Sequence, residues 1–279
     1  MGKIFDALKK SQEPDNEIVT ESVTPDFSET KTESRPISEN FQKGSDVFDI
    51  PDQIDPNLIS AIKPHSVESE QFRLLKNTLL FPENGMPPKS IMITSTNVNE
   101  GKSFISSNLA VSIAKSIDEY VLLIDCDLRR PSIHEIFGYR QSLDGLTEYL
   151  SEGKPLTSLL LKTFINKLTL LPGGSIPPNP SELLSSEQMR RLLHEVRLRY
   201  KDRFIIIDTP PPILTSETNA IARQVDGIII VVKERKTRVK DIQNIIDIYG
   251  KDKILGVVYN FATSKTGVGY NQNAYYPKH

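Results

Sequence analysis

From about Ser90 onward, the apolar residues of this chain fall into short runs rich in Ile and Val, separated by longer stretches with helical spacing. Apolar runs this short, bounded by polar residues, read as buried strands. They lie at Ser90–Thr94, Tyr120–Ile124, Lys167–Leu171, Phe204–Ile207, Gly227–Val232 and Ile254–Phe261. Between the first two, Ser103–Ile117 repeats Ile105, Leu109, Ile113 and Ile117 four apart, which is one face of a helix. Pro180–Tyr200 opens with Asn179 as cap, Pro180 at the first position and Glu182 in the first turn, so the pattern predicts one helix there. Thr237–Tyr249 reads as another helix. Strands that are apolar throughout and alternate with helices predict an α/β fold: a mostly parallel sheet with helices on both faces.

The pattern differs at the two ends. Met1, Ile4, Phe5 and Leu8 follow helical spacing, so residues 1–10 read as a short amphipathic helix. A helix of that length is not stable alone and needs a partner surface. Gly2 does not signal myristoylation, because Asp6 stands where that motif needs Ser or Thr. Residues 1–56 hold 6 basic and 13 acidic side chains, a net of −7, which leaves +5 for the remainder. Apolar residues are sparse and unpatterned after Leu8, so residues 11–55 are expected to be a disordered acidic linker. A folded domain is expected over 56–262, with a helix over 66–80. Residues 263–279 are rich in Gly, Asn, Lys and Ser, as suits a flexible tail. Three of the chain's nine tyrosines, Tyr270, Tyr275 and Tyr276, fall in that tail.

Composition narrows the function classes. The net charge of −2 over 279 residues excludes a globally basic nucleic-acid binder, and no nucleic-acid partner is expected. One cysteine, Cys126, excludes a disulfide framework and a multi-cysteine zinc site. His65, His134, His194 and His279 have no ligand spacing. The longest apolar runs are about six residues, too short to span a membrane. Lys9 and Lys10 lead into polar residues rather than a signal sequence, so the expected compartment is the cytoplasm. Lys233, Arg235, Lys236, Arg238 and Lys240 form a basic cluster that by default is a solvated face.

The candidate chemistry lies at strand ends. Ser90–Thr94 leads into Ser95-Thr96-Asn97-Val98-Asn99-Glu100-Gly101-Lys102-Ser103-Phe104, and a helix follows. Gly101-Lys102-Ser103 matches the end of a phosphate-binding loop in its required setting of buried strand, loop and helix N-terminus. Loop amides from Asn97 to Phe104 and the positive helix end would face phosphates, Lys102 would add a point charge, and Ser103 would offer a hydroxyl to Mg²⁺. Thr96 stands where the motif has its first glycine. The second strand ends at Asp125, with Asp127 two residues on; two such carboxylates are costly without a cation between them. A third apolar strand delivers Asp208, in the form of a segment that orders Mg²⁺. All three lie at carboxyl ends of strands, where open α/β sheets bind ligands, so ATP and Mg²⁺ are the expected cofactors.

On these residues the chain resembles the bacterial tyrosine kinases of the capsule and exopolysaccharide type, over about residues 64–279. The resemblance rests on the loop Ser95–Ser103, on Ile124–Pro131, on Ile207–Pro211, and on Leu171-Pro172-Gly173-Gly174 followed by Pro177–Leu184. The opening Met1–Lys10 is similar to that of stand-alone cytoplasmic members. The resemblance implies a P-loop NTPase fold and an ATP-dependent autokinase that phosphorylates tyrosines near its C-terminus, here Tyr270, Tyr275 and Tyr276. By motif position it assigns phosphate and Mg²⁺ to Lys102 and Ser103, the tyrosine hydroxyl to Asp125, and Mg²⁺ support to Asp127 and Asp208. It implies a membrane-embedded chain-length regulator of polysaccharide export as partner, which recruits the kinase to the inner face of the membrane, and a cognate phosphotyrosine phosphatase. It also implies a homo-oligomer whose contact includes Glu70, Arg73 and Lys76. The family usually has Pro where Val98 stands and Arg where Lys76 stands.

Two other readings remain at this stage. One is a positioning ATPase that dimerises on DNA or membranes; such proteins carry a second lysine five residues before the invariant one, where this chain has Asn97. The other is a nucleotide-gated scaffold for export machinery, with little or no transfer.

Overall fold

The structure, a computed structural model, describes residues 54–199, 202–212 and 217–262. The expected helix over 1–10, the linker over 11–55 up to residue 53, and the tyrosine tail over 263–279 lie outside the described residues; Ile54 and Asp55 belong to the fold, where Ile54 packs on the core and the Asp55 amide donates to the Ile136 carbonyl at 3.2 Å.

In chain order, α1 (Ile59–Ile62) and α2 (Val67–Leu80) precede β1 (Ser90–Ser95) and α3 (Lys102–Ala114). Next come β2 (Tyr120–Asp125) and three short helices, α4 (Ile133–Ile136), α5 (Leu146–Glu152) and α6 (Leu156–Leu159). They lead to β3 (Leu161–Lys162) and β4 (Leu168–Leu171). Then follow α7 (Pro180–Leu184), α8 (Glu187–Arg199), β5 (Arg203–Asp208) and α9 (Glu217–Ala222). The described part ends with β6 (Gly227–Lys233), α10 (Val239–Tyr249) and β7 (Ile254–Asn260).

The seven strands form one sheet in the order β3-β4-β2-β5-β1-β6-β7. Every pairing is parallel except that of the two-residue β3 with β4. Alternate side chains go to opposite faces, and both faces are covered. Ile91, Ile93, Leu123 and Ile206 pack with Leu109 and Ile113 of α3 and Phe72 of α2. On the other face, Met92, Leu122, Ile205 and Ile207 pack with Met189, Leu192 and Val196 of α8. Two-sided burial explains why the central strands read as unbroken apolar runs. β7 is the exception: its residues alternate between partly buried and exposed, because it closes the sheet edge.

Three helix expectations are corrected. Pro180–Tyr200 is not one helix: α7 stops at Leu184, and the Ser186 hydroxyl accepts the Met189 amide at 3.1 Å to start α8 afresh. Asn179 is the cap residue of α7, but its side chain donates to Glu182 instead of capping. α3 ends at Ala114, which leaves Ile117, the last member of the expected stripe, exposed. α10 begins at Val239 rather than Thr237, because the Thr237 hydroxyl is engaged in the preceding loop. Among the described residues, no helix is long and apolar enough to cross a membrane.

Candidate functional site

The order β2-β5-β1 places three strand tips side by side at the carboxyl end of the sheet. Asp125 ends β2 and Asp208 ends β5, and the two are register partners. β1 runs beside β5 and ends at Ser95, from which the loop 96–101 leads into α3. The sequence-expected residues Lys102, Ser103, Asp125, Asp127 and Asp208 are therefore brought together by the sheet itself.

The loop owes its shape to two left-handed residues. Asn99 has φ 59°, a conformation asparagine tolerates better than most side chains. Gly101 has φ 91°, and a Cβ there would fall on the side-chain amide of Asn260. That amide donates to the Glu100 carbonyl at 2.9 Å, so the tip of β7 is seated on the loop. Among the described residues, the amides of Val98, Asn99, Gly101, Lys102, Ser103 and Phe104 donate to no protein acceptor. Converging free amides at a helix start form an anion site, reinforced by the helix dipole. Asn97 is apart from this set, because its amide donates to the Glu100 carboxylate at 2.9 Å.

Lys102 is buried, and its ammonium lies 3.8 Å from Asp127 Oδ2. The Ser103 hydroxyl donates to Asp208 Oδ2 at 2.6 Å, and the Ser106 hydroxyl to Asp208 Oδ1 at 3.0 Å. Asp125 Oδ1 accepts the Asp127 amide at 3.1 Å, while Oδ2 accepts those of Ser132 and Ile133 at 3.0 and 3.1 Å. Asp125 thus also shapes the loop between β2 and α4. Burial first, then the neighbouring Asp208 charge, raises the Asp125 pKa. Burial raises Asp208 as well, against the pull of Lys102 and Ser103, and it raises Asp127 against the pull of Lys102.

No three carboxylate, His or Cys side chains among the described residues converge closely enough to cage a metal by themselves. That donor set suits Mg²⁺, which keeps waters and takes one or two carboxylates plus substrate phosphates. Beside the loop lies a cavity of about 380 Å³ lined by Asp55, Asn57, Phe104, Asn108, Asn260 and Phe261.

The structure leaves some expected residues apart. On α2, Arg73 pairs with Glu70 at 2.6 Å and also donates to the Pro64 carbonyl, while Lys76 forms no ion pair among the described residues. Tyr270, Tyr275 and Tyr276 lie outside the described residues. Sequence reading missed Ser106, Thr237 and Asn260. Asn260 carried a usable signal, since it ends an apolar strand as Asp125 and Asp208 do. Ser106 carried no such signal, because Ser103, Ser107, Asn108 and Ser112 share α3 with it. Thr237 was hidden among basic residues.

A family model described as ParA, NUBPL iron-transfer P-loop NTPase, matches residues 88–277. The chain is 34% identical to tyrosine-protein kinase YwqD of Bacillus subtilis over 206 residues, 73% of this chain and 85% of that protein. It is 33% identical to the putative tyrosine-protein kinase CapB of Staphylococcus aureus over 217 residues, 77% and 91% of the two chains. Among solved structures, the kinase domain of the Escherichia coli tyrosine kinase ETK superposes with a TM-score of 0.66 at 30% identity. That match covers 76% of this chain and 84% of the other.

Proposed function

The chain belongs to the bacterial tyrosine-protein kinases, and on that premise we propose that it transfers the γ-phosphoryl group of Mg·ATP to its own tail tyrosines, Tyr270, Tyr275 and Tyr276. The observation that carries the reading is the set of free amides of Val98, Asn99, Gly101, Lys102, Ser103 and Phe104, with the Lys102 ammonium among them, set against the carboxylates Asp127 and Asp208. Those amides and Lys102 hold the phosphates. The cavity at Phe104, Asn260 and Phe261 takes the base, because it adjoins the loop and is lined by two aromatic rings. Ser103, Asp208 and Asp127 hold Mg²⁺, which neutralises charge on the β- and γ-phosphate oxygens when bound.

Phosphoryl transfer has a loose transition state, so positioning and charge neutralisation carry most of the rate. Lys102 serves the charge term. Asp125 orients the incoming tyrosine hydroxyl and takes its proton late at Oδ1, the oxygen that accepts only one amide. Each phosphotyrosine then adds about −1.5 to −2 charge to the tail, which drives it away from the acidic strand tips. The partner in this reading is a membrane-embedded chain-length regulator of capsule or exopolysaccharide export, which recruits the cytoplasmic kinase to the membrane. A phosphotyrosine phosphatase resets the tail, and copies of the chain contact one another through Glu70, Arg73 and Lys76.

Incubating the purified protein with γ-labelled ATP and Mg²⁺ tests the reading. Label on the tail is expected, lost in Lys102→Met and lost in the triple Tyr→Phe variant at 270, 275 and 276 while nucleotide binding persists in the latter. Free phosphate alone would replace the kinase with a positioning ATPase, and neither product would leave a scaffold.

A further inference from the structure

Glu100 is the one acidic residue of the phosphate loop, and it is almost fully buried. Its carboxylate faces no basic side chain within ion-pair distance among the described residues. Instead it gathers neutral donors. The Thr96 hydroxyl lies 2.9 Å from each of its oxygens, and the Asn97 amide donates to Oε2 at 2.9 Å. The Thr237 hydroxyl donates to Oε1. Thr237 comes from the loop between β6 and α10, and its oxygen also accepts the Lys233 amide at 2.9 Å.

A negative charge next to a polyphosphate site opposes binding by simple Coulomb repulsion. Taking a carboxylate out of water is costly unless donors replace the water, and here they do. The benefit must therefore come through geometry. The bond from the Asn97 amide back to a glutamate three residues on is one half of a capping box. It lies in the loop ahead of α3 and turns the Asn97 amide away from the anion site. The Thr96 bond does the same work at the position where the motif has its first glycine. A loop short of glycine is thus held by side-chain bonds in the shape that leaves the following amides free.

We propose that Glu100 and Thr237 are a positioning pair: Glu100 folds the glycine-poor phosphate loop into its binding shape, and Thr237 anchors that fold to the loop after β6. Neither residue touches the phosphates through its side chain. The basic residues Arg235, Lys236 and Arg238 flank Thr237, so whatever displaces that loop also disturbs the phosphate site. The inference rests on the reading that residues 97–104 bind nucleotide phosphates.

Calorimetric titration of the full chain with Mg·ADP, alongside thermal melting, tests it. Thr237→Val removes the hydroxyl without changing shape, Thr237→Ser keeps it, and Glu100→Gln replaces an acceptor oxygen with a donor. A hydrogen bond to a charged group contributes enough that Thr237→Val and Glu100→Gln should each weaken Mg·ADP by about tenfold, with Thr237→Ser within about twofold of wild type. A purely structural role would lower the melting temperature and leave the affinity of the folded protein unchanged, and that result overturns the pair. If Thr237→Val does not fold, wild-type affinity in Glu100→Gln overturns it equally. Failure of the wild type itself to bind Mg·ADP would remove the nucleotide reading along with this one.

Discussion

At the carboxyl end of the sheet, Asp125 and Asp208 are wholly buried and stand opposite each other in register, with no basic side chain in ion-pair distance of either among the described residues. At the amino end, Asp226 just before β6 is exposed, yet it is held by partners from its own fold. Its Oδ2 accepts the Lys89 amide at 3.0 Å, and the Ser90 amide and hydroxyl at 2.9 Å each. Its Oδ1 pairs with Arg197 at 2.7 Å. The ionisation equilibria move in opposite directions. Burial alone would raise Asp226, but the Ser90 bonds, Arg197 and the Lys89 amide outweigh it and hold the carboxyl below 3.8. At the other end burial wins, joined by the Asp208 charge at Asp125 and by the Asp127 charge at Asp208. Asp226 has its charge balanced by Arg197 and ties β1 to β6. Asp125 and Asp208 accept hydrogen bonds from the fold but have no such counter-charge, and in the proposed reading a ligand's cation beside Asp208 would supply one.

The sharpest way to break this comparison is to neutralise one carboxylate at each end. In the proposed reading Asp208→Asn removes a charge that would face Mg·nucleotide, so tail labelling should fall by about a hundredfold or more, the scale at which a single electrostatic contact to the reacting group is felt. The nucleotide-free variant should melt no lower than wild type, because a like-charge neighbour of Asp125 has gone. Asp226→Asn should do the reverse. It loses the Arg197 charge pair and weakens the bonds to the Ser90 end of β1, for a cost of about 1–3 kcal/mol in denaturant unfolding. Labelling per folded molecule should stay within about twofold of wild type, since nothing at the phosphate site has changed. Equal destabilisation by the two substitutions would dissolve the contrast.

The central strands were legible because two-sided burial writes itself as unbroken Ile and Val. The strand-tip acids were legible because a carboxylate that ends such a run breaks the apolar pattern, even though Asp125 also binds three loop amides. Ranges slipped where side-chain bonds set an end: Ser186 restarts a helix, and Thr237 delays one. Asp226 was passed over because a polar residue before a strand looks like any loop residue. Its function shows only once Ser90, which is 136 positions away, is beside it. Likewise, Glu100 read as one more loop residue until the fold brought Thr237 to it. Contacts between distant segments leave no local pattern, and both ends of the sheet are fastened by such contacts.

The smallest expected effect is also the one that sharpens the contrast most, since it reads both ends in one curve. Consider the nucleotide-free protein in a chelator. Asp125 and Asp208 have folded-state pKa values above the unfolded value of 3.8, so the fold favours their protonated forms. Their contribution to stability is therefore full at acid pH and is lost as pH rises from about 4 into the neutral range. Asp226 has a folded value below 3.8, so its contribution is full above that value and is lost as pH falls through the lowered one. The melting temperature should then drop by a few degrees between about pH 5 and pH 8, and should drop separately in strong acid. Asp208→Asn should flatten the first fall and leave the second. Asp226→Asn should reduce the acid-side loss and leave the neutral one. Saturating Mg·ADP should flatten the neutral fall in the wild type, because the bound cation favours the ionised carboxylates. A neutral-range fall that is identical in wild type and Asp208→Asn would mean that the strand-tip pair is not its source, and that the contrast between the two ends of the sheet does not lie in their aspartates.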